Sequence, residues 1–199
     1  NKTETRKHKM AKNTKEIVIR TLLNIAAEGG RVNVEEITRR TGITRNTIRH
    51  NFGDKGIEGI IEYIYLDIFH EINEQLFRHD PNEIPVEIFA DIVLPILWQH
   101  RDEAHILATS NLLYRTDAGA IDLTFPWAKE RYDYLVKEHE LNPYFSSKQL
   151  LSFWISYLDI IFTLWFSAQI PLEPEKFKPL FIKLIKTSMY DLIYKGIGH

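Results

Sequence analysis

From Ile57 to about Arg78 the apolar residues fall at Ile57, Ile60, Ile61, Ile64, Ile68, Phe69, Ile72 and Leu76. Steps of three and four put them all on one side of an α-helix. A long one-sided helix must lay that stripe against other elements to take it out of water. No stretch of the chain alternates as a half-buried strand does, so those elements are themselves helices and the fold class expected is all-α. Helices are predicted from Thr14 to the Gly29-Gly30 stop, over about 34–40 and 44–51, and then over 86–100, 103–116, 125–139, 147–169 and 175–195. Pro95 should kink its helix, and Pro179 places the start of the last one near Lys178.

Charge divides the chain into two parts. Residues 1–56 hold 13 Lys and Arg against 6 Asp and Glu, whereas the remainder holds 12 against 21. The first part is suited to a polyanion and the second is not. Of the 24 aromatic residues only Phe52 precedes Tyr63, which marks the same division. We therefore expect a basic mobile arm at 1–12, a small domain at 13–56 and a larger helical domain at 57–199. Without cysteine the chain has no disulfide, thiolate metal site or cysteine nucleophile, which fits a reducing compartment. The first sixteen residues are almost wholly polar or charged, unlike a secretory signal, so a cytoplasmic location is expected. The apolar run Leu150–Ile170 has the length of a membrane span. However, Asp159 lies at its midpoint, and Ser152, Ser156, Thr163 and Ser167 dilute it, so it reads as a buried helix and no membrane is expected.

The segment Val34–Lys55, VEEITRRTGITRNTIRHNFGDK, carries the functional pattern. Ile37, Ile43 and Ile48 are placed to bury the inner faces of two short helices, and Gly42 stands at the corner between them. This is helix-turn-helix spacing. The second helix then turns Arg45, Asn46, Thr47, Arg49 and His50 outward. Arginine pairs with guanine O6 and N7, asparagine with adenine N6 and N7, and threonine offers a hydroxyl and a methyl, so the set suits a major groove.

Ile17–Ile61 resembles the N-terminal domain of the TetR family of transcriptional regulators. The likeness rests on Ala26-Ala27-Glu28-Gly29, Glu36-Ile37, Thr41-Gly42-Ile43-Thr44 and Phe52-Gly53-Asp54-Lys55. It implies that Thr44, Arg45, Asn46, Thr47, Arg49, His50 and Asn51 fall on base and phosphate contacts. Lys55 would fall on a phosphate-binding lysine, and Val34 on the start of the second helix, where the family often has a phosphate-contacting threonine. Two departures stand out: Arg49 replaces a common tyrosine, and the loop between Gly29 and Val34 is about one residue short. The resemblance implies an N-terminal three-helix DNA-binding domain followed by a C-terminal helical bundle that binds a ligand and dimerises. It further implies a homodimer on a pseudo-palindromic duplex, acting as a repressor.

Beyond the first domain the chemistry is less specific. Trp98, Tyr114, Phe125, Trp127 and Trp154, with Asp159 as a polar group, are expected to line a pocket for a small apolar or aromatic effector. For any single one of these aromatic residues core packing or a dimer contact is the better reading, and for Asp159 a hydrogen-bonded interhelical acid. His100 and His105 are five apart, off the spacing that aligns two ligands on one helical face, so neither metal nor cofactor is expected. No nucleophile with a base and no phosphate loop is present, which argues against an enzyme. Control by a protein partner in place of a small ligand is the alternative for a DNA-binding chain.

Overall fold

The computed structural model describes residues 2–80, 84–110, 112, 126–139 and 144–196. Among these, all regular structure is α-helical: α1 Lys2–Ala27, α2 Val34–Thr41, α3 Arg45–Phe52, α4 Ile57–Leu76, α5 Val86–Gln99, α6 Arg101–Thr109, α7 Pro126–Glu138, α8 Ser147–Ser167, α9 Pro174–Lys186 and α10 Met189–Lys195. The chain forms two compact units. Among the described residues the first holds everything up to Asp67 together with 105–110 and 112, and the second holds Ile68–Ala104 and everything from Pro126 on.

The N-terminal residues differ from expectation. Residues 2–12, expected as an arm, are part of the first helix, because α1 begins at Lys2 and not at Thr14. Residues 2–12 lack apolar periodicity, but that says nothing against a helix. Neither Gly nor Pro interrupts KTETRKHKMAK, so the helix propagates through it. Further along α1 the buried positions are Val18, Leu22, Leu23, Ile25 and Ala26, whereas Ile17 is exposed. The helix stops where the amides of Gly29 and Gly30 turn back onto the carbonyls of Ala26 and Ile25, with Gly29 at φ 70°.

In the first unit α1 packs on α2 and α3, and α2 on α3. Both short helices are capped at each end. The side chain of Asn33 accepts the amide of Glu36 at 2.8 Å, and Gly42, at φ 72°, donates its amide to the carbonyl of Thr38. Thr44 Oγ1 accepts the amide of Thr47 at 3.2 Å, and the amide of Gly53 closes α3 on Arg49. Ile37, Ile48 and Phe52 are buried. The first half of α4 belongs to this unit, so the boundary falls after Asp67 and not at Gly56. Ile60, Ile61 and Ile64 supply the reason, being as buried as the core of α1. Gly59 allows the close approach: a Cβ there would lie 2.3 Å from the carbonyl oxygen of Phe52. Any larger residue must displace that backbone.

In the second unit α9 packs on α5 and α7 on α8. Lys178 pairs with Asp91, and Lys186 with Glu87, so α9 runs antiparallel to α5. The core holds Phe89, Val93, Leu94 and Leu97 of α5, Leu151, Ile155, Leu158, Phe162, Trp165 and Phe166 of α8, and Phe177 and Phe181 of α9. α5 continues through Pro95 as one helix. The last helix expected at 175–195 is two: α9 starts at Pro174, ahead of the Lys178 expected from Pro179, and ends before Thr187, which is extended. Ser188 then caps α10 by accepting the amide of Asp191 at 3.1 Å. The helix expected over 103–116 ends at Thr109.

Candidate nucleic-acid interface

α3 is eight residues long and has two unlike sides. Ile48 and Phe52 point into the core, with the ring of Phe52 meeting that of Tyr63 edge to face at 5.4 Å. Arg45, Asn46, Arg49 and His50 are all exposed and occupy the other side. Thr47 and Asn51 are half-buried. The hydroxyls of Thr44 and Thr47 bond each other at 2.9 Å, and Asn51 Nδ2 donates to the carbonyl of Thr47 at 2.8 Å. Those three side chains hold the helix together, while the exposed four remain on its outer surface. Val34, half-buried at the start of α2, lies beside Gly56. Lys55 follows α3 in the turn before α4 and is exposed.

Carboxylates run through this basic surface. Glu36 accepts from Arg39 and from Arg40, and these bonds hold its carboxyl down to about 2. Arg40 also reaches Glu28 at 2.8 Å, which lowers that carboxyl and raises the guanidinium. The Glu36 pairs span three and four residues of one helix, a spacing legible in the sequence. Three further pairs were not legible: Arg45 with Glu35, Arg49 Nε with Asp54 at 3.5 Å, and Lys55 Nζ with Glu62 at 2.9 Å. The first joins α2 to α3 and the other two join the turn at 54–55 to the helices beside it, at separations of ten, five and seven residues that follow no helical spacing.

Of the residues expected to line an effector pocket, Trp98, Trp154 and Asp159 fall within the described residues. Tyr114 and Phe125 lie outside the described residues, as does the side chain of Trp127. Trp98 stacks on Trp165 at 5.8 Å, and Trp154 lies against Phe89 at 5.8 Å. Trp154 and Trp165 are eleven residues apart on α8, which places their backbone positions about 16 Å apart along the helix. Trp165 is buried, stacks on Phe166 and Phe177, and donates its indole N–H to the carbonyl of Leu172 at 2.8 Å. Asp159 is half-buried on α8, and burial pushes its carboxyl up to about 7. The neighbouring hydroxyls turn away from it: Thr163 donates to the carbonyl of Asp159, and Ser156 to that of Ser152.

α8 is the one helix among the described residues long and apolar enough to cross a membrane by length and composition. It is also two-sided: seven of its residues are in the core, while Leu150, Phe153, Ile160 and Leu164 form an exposed apolar stripe. No group of three or more metal-ligating side chains occurs among the described residues. No protein-family model and no curated protein sequence matches this chain.

The carboxyl of Asp159 binds its proton more tightly in the native than in the unfolded chain. Its contribution to stability is therefore greatest below about pH 4, declines as pH rises towards 7, and is flat above. Asp159→Asn is expected to remove that decline and to be more stable than the parent at pH 8 by about 1–3 kcal/mol. Urea denaturation at pH 4 and pH 8 checks this. Equal pH dependence in the two chains would contradict it.

Proposed function

We propose that this chain is a sequence-specific DNA-binding transcriptional regulator of the TetR type, a repressor that acts in the cytoplasm and is not an enzyme. α2 and α3 form its helix-turn-helix. The observation that carries this reading is the two-sided α3: a short capped helix, anchored by Ile48 and Phe52, presents Arg45, Asn46, Arg49 and His50 to solvent within the basic segment. A helix of this kind fits the major groove, where such side chains read base edges. Lys55 and Val34 flank it on the side that meets the backbone.

The reading is tested by titrating the chain with a 30-base-pair random duplex at several salt concentrations. With about 6 to 10 phosphate contacts per dimer, log K should fall against log salt with a slope near −5 to −9. Lys55→Ala should weaken all duplexes alike. Arg45→Ala or Asn46→Ala should cost about 1–3 kcal/mol per half-site on a selected duplex and relax selectivity there. A salt-independent titration would contradict the proposal.

Dimerisation is assigned to α8, α9 and α10 packed on their symmetry mates. The support is the stripe Leu150, Phe153, Ile160 and Leu164, with Tyr190, Ile193 and Tyr194 of α10, all large, apolar and exposed in one chain. Ile160→Glu with Leu164→Glu is expected to give a monomer of weak DNA affinity. Sedimentation of the parent as a monomer at micromolar concentration would contradict it.

A small apolar or aromatic effector remains the proposed signal, with Asp159 as the polar group in its reach. Control by a protein partner is favoured by one observation, the mutual stacking of Trp98, Trp165 and Phe177. Intrinsic tryptophan fluorescence separates the two readings, because all four tryptophans lie beyond residue 56. Compounds that change fluorescence and DNA affinity at matching concentrations support the effector, and none in a broad panel supports the partner.

A further inference from the structure

The cations proposed to meet DNA are not bare. Arg45 donates Nη2 to Glu35, Arg49 Nε lies 3.5 Å from Asp54, and Lys55 Nζ lies 2.9 Å from Glu62. Pairs at three or four residues on one helix are accounted for by helix stabilisation, as with Glu36 and Arg40. These three are ten, five and seven residues apart, so helix geometry does not account for them. Folding stability is no better an explanation for the first two. Arg45 and Glu35 are 64% and 74% exposed, and Arg49 and Asp54 are 68% and 86% exposed. Ion pairs so open to water add little.

A carboxylate offers a guanidinium the same acceptors that a phosphate or a guanine edge offers. DNA must therefore exchange with Glu35 and Asp54 for the donors of Arg45 and Arg49. The exchange bears unequally on different sequences. A random duplex offers mainly phosphates, so displacing a carboxylate returns one charge contact for another and leaves an acid beside the backbone. A matching sequence offers base edges as well. There the guanidinium has five N–H donors, so Arg45 can keep Glu35 on one and use others on the base, held in a fixed plane.

We infer that Glu35 and Asp54 are specificity-determining residues: clasped to Arg45 and Arg49, they suppress binding to non-cognate DNA and position the two arginines for base reading. This rests on the DNA-binding reading above. Both acids act through the arginines and are positioning residues.

The test compares the full-length chain with Glu35→Gln plus Asp54→Asn, and with Glu16→Gln, which removes one negative charge from α1 instead. Each is titrated with random duplex and with a duplex selected by the parent, over a range of salt, after thermal unfolding has shown the same fold. The double variant is expected to bind random duplex about 3- to 30-fold more tightly. Its log K should depend on log salt more steeply by about 1 to 2 per chain. Affinity for the selected duplex should rise less, so the specificity ratio falls. Random-duplex affinity that is unchanged, or raised no more than by Glu16→Gln, overturns the inference and leaves DNA binding intact. A parent that binds no duplex at low salt overturns the DNA-binding reading and this inference with it.

Discussion

An eight-residue helix does not persist in water, because the cost of nucleation exceeds what so few hydrogen bonds return. α3 has this length, and α2 is no longer. Their shape is imposed from inside, by burial of Ile37, Ile48 and Phe52 in the core that α1 and the first half of α4 complete. Each such side chain contributes about 2 kcal/mol when fully buried, a large share of the 5–15 kcal/mol that holds a whole domain. The orientation of Arg45, Asn46, Arg49 and His50 is thus inherited from an apolar core they do not touch. The caps at Thr44 and Gly53 fix where the helix begins and ends, and Gly59 lets α4 approach closely enough to seal it.

Electrostatics then acts on a surface that packing has already shaped. Residues 1–56 are strongly basic, yet Glu28, Glu35, Glu36 and Asp54 pair with arginines of the same segment. Net charge alone therefore overstates the number of cations ready for a polyanion. In the second unit the aromatic residues pack on one another, and α8 contributes seven side chains to that core while keeping an apolar outer stripe. The continuous helix α4 contributes to both units, since its residues fall on either side of Asp67.

Most of the helical architecture was legible because it depends on local signals. Gly42, Thr44 and Gly53 mark helix ends through backbone geometry, and the stripe of α4 marks a buried face. Where reading the sequence fell short, the cause was a signal of the wrong kind. Apolar periodicity reports burial, so it missed the N-terminal half of α1, which is helical although its sequence carries no apolar stripe. The break at Thr187-Ser188 was hidden because a capping serine inside an apolar pattern looks like any polar helix position. Ion pairs such as Glu35 with Arg45 join elements ten residues apart and leave no spacing rule to find. Composition likewise identified an aromatic-rich second half, but only the packing separates Trp98 from Trp154.

The central claim is that α3 reads DNA as one of two symmetry-related copies. Selecting bound duplexes from a random pool with the intact chain tests it most directly. The expected result is an enriched sequence with two-fold symmetry, its half-sites centred about one helical turn, 34 Å, or a multiple of it apart. A pool that shows no enrichment, or a single asymmetric motif bound by one chain, would contradict it.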